Sequence, residues 1–317
     1  MSNPKKHHFV PQQHIERFKS EDGKFWYYDR DKPQRGVEHR DAASIFYIRQ
    51  HNTLVSSDGK RDYSVEKELS KIEGRYKDIA DKVIDDVGSG IAPQLSMSGR
   101  RFLREYILLQ WRRSPDFLKH ETAPDSLEKL AIASREIEKS SGISLTINET
   151  RILAEYSSGR RALDVEVLTV FRKMTGDEYS TLSDQQLAAL LKGGDAQNGR
   201  KAGEVAGRYE RIPAVSDRVN SMRMWYVALP LGLSFVLGSL PVASVSVPGQ
   251  TSAHPLRGIV FPITSGLAVV LGSPNAPFSM EVVNDRQWVR QVNRTIARMS
   301  GSFGSRSEKL TQSLAQA

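Results

Sequence analysis

Two adjacent histidines near the start of the chain have residue types and a spacing that suit chemistry. His7 and His8 are consecutive, and His14 follows on the same short segment. An imidazole titrates near neutral pH, so it can accept a proton from water or hold a metal ion. If this segment is a strand, His7 and His8 point in opposite directions, and a helix after it could bring His14 back toward one of them. We take His8 and His7 as the candidate catalytic residues.

The string around these histidines resembles the strand of His-Asn-His nucleases, in which one histidine activates water against a phosphodiester and a neighbour supports a metal. The Asn and further His that complete such a site do not follow at matching spacing, since His51 and Asn52 lie in a loop-like stretch. His254, in a Ser/Thr/Pro loop, could complete a site. The alternative role of His7 or His8 is structural, because a buried, hydrogen-bonded histidine can fix the N-terminal strand.

Any metal site in this chain must use nitrogen and oxygen ligands, because the sequence contains no cysteine. Glu66 with His8, and with Gln110 as an optional third ligand, is a set that suits Mg²⁺, Mn²⁺ or Zn²⁺, and Glu66 and His7 are our candidate metal ligands. The alternative for Glu66 is helix capping, because it lies near a predicted helix start, where the helix dipole favours negative charge. The sequence has no phosphate-binding glycine loop and no Gly-x-Ser-x-Gly elbow, which argues against nucleotide-driven and α/β-hydrolase chemistry.

A predicted helix in the middle of the chain carries arginines that could bind phosphate groups. Arg112 and Arg113 end this helix, and Gln110 is the polar break in its apolar face. Because guanidinium groups bind phosphates in a bidentate manner, Arg112, Arg113 and Gln110 are the candidate substrate-binding residues. The alternative for Arg113 is an ion pair with an acid, such as Glu66 or Glu73, that pins two helices together. Further arginines on the same helix are Arg100, Arg101 and Arg104.

Two apolar patterns predict the helices that must position these side chains. In residues 65–87 apolar side chains recur at spacings of three and four, and residues 99–113 are apolar enough to face largely inward. Short apolar runs at 25–28 and 45–48 predict strands, and further strand candidates follow residue 222. Because helices and strands are segregated, the sequence predicts an α+β fold, with a central helical layer packed on a mixed or antiparallel sheet built from N- and C-terminal strands.

The pattern along the chain predicts one compact domain with five consecutive parts. Glycines and scattered charges suggest a loop or hinge after the helical region, and a Ser-, Gly- and Gln-rich end suggests a loosely held tail. The parts are an N-terminal motif with short strands over 1–62, a helical region over 63–191, a glycine-rich loop over 192–221, C-terminal strands and a helix over 222–300, and a flexible tail over 301–317.

Composition and charge limit the classes of function. The 317 residues are 39% hydrophobic and 26% charged, which excludes global disorder. The formal net charge of +8 favours polyanionic partners such as nucleic acid. The start of the chain lacks the pattern of a secretory signal, so we expect a cytoplasmic location. The uncharged stretch 224–256 is broken by prolines and glycines, which favours buried strands over a membrane helix.

The segment His-His-Phe-Val-Pro-Gln at 7–12, followed by Ile15 and Phe18, resembles the start of domain-of-unknown-function family 4238, an uncharacterised prokaryotic family. The likeness continues through a Gln-x-x-Arg-x-Pro pattern at 110–115 and covers about residues 7–299. The family's Ser-Asp-Asn-Pro-Val motif corresponds to Gly-Ser-Leu-Pro-Val at 238–242, so Ser239 stands where the family carries an acid. The resemblance implies an architecture and a set of site residues, but no reaction.

Two hypotheses of different classes follow from these observations. The first is a nuclease-like hydrolase, in bacterial defence or phage biology, in which His8 activates water, His7 or Glu66 holds a divalent metal, and Arg113 neutralises the phosphate. The second is a non-enzymatic binding or scaffold protein in which the same side chains are internal polar struts, and the replacement at Ser239 favours it. Loss of a strut should cost about 1–3 kcal/mol of stability, whereas loss of a catalytic group should leave folding unchanged.

Overall fold

In the computed structural model the chain divides into two units, each with apolar clusters of its own. The structure describes residues 6–55, 60–117, 127–157, 163–175, 181–192, 213–246, 257–272 and 280–317. The first unit comprises Met1–His51, Ser64–Phe117 and Arg211–Ala317, and the second comprises Asn52–Tyr63 and Leu118–Glu210. The prediction of one compact domain is therefore wrong, because the helices of the second unit bury apolar side chains among themselves.

Helices form where apolar residues recur at spacings of three and four, and polar side chains cap several of them. Ser96 accepts a hydrogen bond from the Gly99 amide at the start of one helix, and Asp285 accepts from Gln287 and Trp288 at the start of another. The helices are α1 (Gln12–Glu16), α2 (Ser64–Gly88), α3 (Met97–Arg113), α4 (Leu127–Ser141), α5 (Ile147–Ser157), α6 (Val165–Thr175), α7 (Asp184–Lys192), α8 (Pro213–Ser221), α9 (Arg286–Met299) and α10 (Glu308–Ala315), with single turns of 3-10 helix at Pro33–Arg35 and Ala42–Ser44.

The strands come from both ends of the chain, as the sequence predicts. They are β1 (Lys6–His8), β2 (Trp26–Asp29), β3 (Glu38–His39), β4 (Tyr47–Arg49), β5 (Leu54–Val55), β6 (Arg61–Asp62), β7 (Arg223–Ala228), β8 (Leu237–Gly238), β9 (Ala243–Ser246), β10 (Arg257–Thr264), β11 (Leu267–Gly272), β12 (Met280–Val282) and β13 (Ser302–Ser305).

A five-stranded mixed sheet forms the centre of the first unit, in the order β12-β7-β11-β10-β9. Its pairs are antiparallel except for β12 and β7, which run parallel. The middle strand β11 is buried along its whole length, which explains why its sequence is a continuous apolar run rather than an alternating one. The predicted α+β fold is confirmed.

Strand alternation assigns each residue of this sheet to one of two apolar layers. On one face, Val269 and Phe261 pack with Tyr76 of α2 and Tyr106 of α3. On the other face, Val270 packs in the layer that includes Trp288 of α9. Of the helices in the predicted layer over 63–191, α2 and α3 pack on this sheet and the others belong to the second unit, while α9 covers the opposite face of the sheet.

A second sheet joins the two ends of the chain and corrects the prediction for residues 301–317. Its strand order is β3-β2-β13-β8, with antiparallel pairs throughout, so β13 lies between an N-terminal and a C-terminal neighbour. Phe303 is fully buried, and α10 follows with Leu314 in the core. The prediction of a flexible tail is wrong, because strand pairing on both sides orders a segment that is small and polar in composition.

The second unit is built from α4, α5, α6 and α7 together with the short antiparallel pair β5–β6. Its main cluster includes Leu145, Ile152 and Val167. Residues 193–212 of the predicted glycine-rich loop and His254 lie outside the described residues. The rest of that predicted loop is mostly the helix α8, whose Val219 packs in the core beside α3, so the loop prediction is wrong there.

The uncharged stretch forms strands in its described part, which runs to residue 246. Within the described ranges, no helix combines the length and the apolar character that a bilayer crossing requires.

Candidate functional site

The N-terminal histidines lie on β1, which pairs antiparallel with β4 so that His7 faces Ile48 and His8 faces Tyr47. Because successive strand side chains point to opposite sides, the two imidazoles diverge as predicted. His7 is 1% exposed, whereas His8 is half-buried. Adjacent positions in the sequence therefore give one interior and one partly accessible imidazole.

His7 is joined to the first turn of α2. Its Nδ1 lies 2.9 Å from Oε1 of Glu66, and the Glu66 side chain is only 14% exposed. Of the acids considered as partners of Arg113, Glu66 is thus the one that meets His7. The contact ties β1 to the start of α2.

Arg113, at the last turn of α3, is 1% exposed and bridges two other elements. Its Nη1 donates to Oε1 of Glu73 at 2.7 Å, and its Nη2 donates to the carbonyl oxygen of His8. The predicted helix–helix ion pair is thus present, and Glu73 of α2 is the acid. A buried guanidinium needs such partners, because an unpaired charge in the interior costs several kcal/mol.

Gln110 lies one helical turn before Arg113 and is fully buried. With its amide nitrogen directed at the Phe9 carbonyl, at 3.3 Å, its oxygen accepts from the Tyr106 hydroxyl at 3.2 Å and from Arg113 Nη1 at 3.3 Å. Gln110 and Arg113 thus donate to two consecutive backbone carbonyls at the end of β1, those of Phe9 and His8. Arg112 precedes Arg113 on α3 and is half-buried.

His8 is the candidate whose environment suits proton transfer. Burial lowers its pKa below the ordinary value of 6.5, and the positive charges of Lys6 and Arg113 lower it further, while the Ala42 carbonyl offsets part of the effect. Its Nε2 lies 3.3 Å from Nε2 of Gln12. The ring is therefore neutral at pH 7, which is the form that accepts a proton.

His14 does not approach the other two histidines. It is fully buried on α1, and its Nε2 donates to the Pro262 carbonyl at 2.8 Å, among the rings of Phe18, Tyr76 and Phe261. The expectation that α1 returns His14 toward β1 is wrong, because α1 turns this face onto β10.

The predicted metal ligands His7 and Glu66 are in contact, but they supply only two side chains. Among the residues that the structure describes, no three His, Asp or Glu side chains cluster in a way that could hold a metal ion. Metal binding by His7 and Glu66 stays a prediction.

A second buried polar cluster, which the sequence reasoning missed, surrounds Asp116. Ser239 Oγ donates to Asp116 Oδ2, and the Gly301 amide donates to the same oxygen at 2.8 Å. The Ser302 amide in turn donates to Ser239 Oγ at 3.2 Å. Asp116 is 3% exposed. The signal that could have found it is an acid directly after the Gln-x-x-Arg-x-Pro pattern, between Pro115 and Phe117.

A family model described as "Protein of unknown function (DUF4238)" matches residues 6–303. The chain belongs to this family. No curated protein and no solved structure matches it. In this DUF4238 chain, the two motifs that carried the resemblance touch each other, since Arg113 and Gln110 of the second motif bind the carbonyls of His8 and Phe9 in the first.

The third motif of the resemblance lies apart from that contact, in the cluster around Ser239. A carboxylate is present beside this position, but it comes from Asp116, three residues after the end of α3, rather than from residue 239. The DUF4238 segments at 110–116 and 238–242 are thus linked through a side chain that the motif comparison alone does not reveal.

Proposed function

We propose that this DUF4238 protein is a non-enzymatic binding protein of the cytoplasm, in which the N-terminal motif and the end of α3 form a structural clasp. The clasp consists of His7–Glu66, Arg113–Glu73 and the two carbonyl contacts of Arg113 and Gln110. The single observation that supports it is the burial of Arg113, at 1% exposure, between an acid and a carbonyl. A phosphate group could reach this guanidinium only if the existing pair were broken.

The energetics of buried charges favour the structural role. Removing one partner from a buried pair costs about 3–5 kcal/mol, because the other charge is left without compensation. A substrate that displaced Glu73 from Arg113 would have to overcome a free-energy cost of that kind at each binding event. A purely structural pair stays formed, so this cost does not arise.

The proposal predicts that removing the Arg113 side chain lowers the stability of the protein. Arg113→Ala should lower the free energy of unfolding by about 3–5 kcal/mol. The exposed Arg101, whose pair with Glu105 lies at the surface, is the matched control, and Arg101→Ala should cost at most about 1 kcal/mol. Urea unfolding followed by circular dichroism measures both values.

The second candidate is the nuclease-like hydrolase, and the half-buried, neutral imidazole of His8 favours it. In that role His8 would accept a proton from the attacking water, while His7 and Glu66 would hold a divalent metal. Labelled DNA and RNA incubated with the native protein and Mg²⁺, Mn²⁺ or Zn²⁺ should stay intact if the clasp is structural. Cleavage that is lost in a folded His8→Ala variant would overturn the non-enzymatic proposal.

A further inference from the structure

The exposed side of α9 carries a row of four arginines. Arg286, Arg290, Arg294 and Arg298 follow one another at intervals of four residues, and all four are exposed. Residues four apart in an α-helix lie one above the other on the same side, so the four guanidinium groups form one stripe. We call this set the α9 arginine row.

The charges of the α9 arginine row are not neutralised within the described part of the chain. None of the four arginines forms an ion pair with a carboxylate there. Like charges four residues apart repel each other, so the row weakens the helix that carries it. An uncompensated row on a helix whose other side is fixed in the core is better explained by a ligand than by stability.

A groove of about 1010 Å³ runs beside the row, between α9 and the end of α10. Its lining adds Gln287, Gln291 and Thr295, which can donate or accept hydrogen bonds. Arg30 lies at the far end and donates to the carbonyls of Ala297 and Ser300, so its charge also has a neutral partner rather than an anion. The groove therefore combines four arginines, namely Arg30, Arg290, Arg294 and Arg298, with uncharged polar side chains.

We propose that the α9 arginine row binds the phosphate backbone of nucleic acid. Twelve residues of helix rise about 18 Å from Arg286 to Arg298. One strand of B-form DNA places a phosphate about every 3.4 Å along its axis, so the row spans about five phosphates of a strand. Arginine suits this ligand because its planar guanidinium matches phosphate oxygens in a bidentate way.

The opposite side of α9 argues against a membrane as the ligand. Interfacial helices insert an apolar face between lipids. The apolar side chains of α9, including Trp288, Val289 and Val292, are buried against the sheet and cannot insert. Of the residues between the arginines, those that are not buried are Gln287, Gln291 and Thr295, and these polar side chains fit a sugar–phosphate chain better than a lipid surface.

The inference deepens the proposed binding function by naming the partner, and it is tested by the salt dependence of binding. Fluorescence anisotropy with labelled duplex DNA, single-stranded DNA and single-stranded RNA gives the dissociation constant of the full chain at several salt concentrations. Each phosphate contact contributes about 0.9 to the slope of log K against log salt for duplex DNA. The Arg290→Gln/Arg294→Gln double variant should therefore reduce the slope by about 1.8 and weaken binding roughly tenfold or more per arginine at low salt.

The matched control is Arg100→Gln/Arg101→Gln, which removes the same charge from exposed positions of α3 in the same unit. This control should bind nearly as the native protein does, and Arg290→Lys/Arg294→Lys should keep most of the salt slope. Circular dichroism confirms that all variants are folded. The inference is overturned if the native protein binds none of the three nucleic acids, or if the α3 control loses as much affinity as the α9 variant.

Two further measurements distinguish this inference from its alternatives. If the protein binds poly-glutamate or phosphatidylserine vesicles as tightly as nucleic acid at the same salt concentration, the ligand of the row is an acidic protein or a membrane, and the inference is overturned. The same samples report cleavage on a gel. Cleavage of the nucleic acid would contradict the non-enzymatic proposal. The affinity of the α9 variants tests separately whether the arginine row binds nucleic acid.

Discussion

His7, His8 and His14 are close in the sequence, and burial gives them different chemistry. His7 is interior and meets Glu66, His14 is interior and meets a carbonyl, and His8 keeps partial exposure. Residue type alone made all three candidates for acid–base chemistry. Because His8 alone of the three is partly exposed to solvent, it is the histidine that a substrate could reach.

Stability should fall in acid because of His14. Burial, only partly offset by the Pro262 carbonyl, lowers its pKa to about 3, whereas an unfolded histidine titrates near 6.5. Between these values the unfolded state binds the extra proton, so the free energy of unfolding decreases as the pH falls, by at most about 1.4 kcal/mol per pH unit from this group. Urea unfolding at a series of pH values between the two limits measures the slope.

Two variants isolate the contribution of His14. His14→Gln keeps a donor for the Pro262 carbonyl but does not titrate, so its stability should depend less on pH than that of the native protein. The exposed His39 is the control, and His39→Gln should keep the native slope. If His14→Gln and the native protein show the same slope, the buried histidine is not the cause.

Ser239 offers a test of the buried carboxylate beside it. Replacing it with the acid that the family resemblance implies, Ser239→Asp, places a second carboxylate next to Asp116 and should cost about 3–5 kcal/mol at neutral pH. Ser239→Ala removes only a hydrogen bond and should cost about 1–3 kcal/mol. The double variant Ser239→Asp/Asp116→Asn should recover much of the loss. A double-mutant cycle measured by urea unfolding gives the interaction free energy between the two positions. If the losses of stability of the single variants add up to that of the double variant, the two positions do not interact.

At the scale of elements, β13 depends on a glycine that lets two strands approach. A Cβ at Gly304 would overlap with the Trp26 carbonyl oxygen and would lie 2.6 Å from the Phe25 ring. Gly304→Ala should therefore destabilise the first unit by about 1–3 kcal/mol, as overpacked core positions do. Gly74 is exposed in the middle of α2 with open space around it, so Gly74→Ala should instead stabilise by about 0.5–1 kcal/mol. Thermal unfolding gives the melting temperature of each variant, and equal changes in melting temperature for the two variants would contradict the packing argument.

The helices α3 and α9 show how one element can serve both the interior and the surface. The end of α3 places Arg113 in the clasp, whereas its exposed side carries Arg100 and Arg101. On α9 the division is complete, with the core on one side and the arginine row on the other. Whether an arginine holds the fold together or faces a ligand follows from its angle around the helix axis.

At the scale of the whole molecule, the first unit is formed by three separated stretches of sequence. The four-stranded sheet is where distant stretches meet, because β2 lies near one end of the chain and β13 near the other. Contacts of this kind explain why the C-terminal segment looked unstructured in the sequence. Its order comes from pairing with two strands, of which β2 lies more than two hundred residues away in the sequence.

Much of the fold could be predicted from local pattern. The apolar spacings located α2 and α3, and the apolar runs located β7, β10 and β11, because the interior selects for side-chain type at the period of each element. The candidate site was predicted less well. The sequence named Glu66 and Glu73 as possible partners of Arg113 without choosing between them, and it passed over Asp116.

The sequence by itself determined the main helices and the apolar strands, the α+β class and the family of this protein, since each depends on residue type and spacing along the chain. Only the tertiary structure decided that Arg113 pairs with Glu73, that His7 pairs with Glu66, and that the C-terminal segment is a central strand. Only the tertiary structure showed, too, that the α9 arginines lack an acidic partner among the described residues. The physical reason is that the cost of a buried or unpaired charge depends on which distant groups surround it, and local pattern carries no information about that distance.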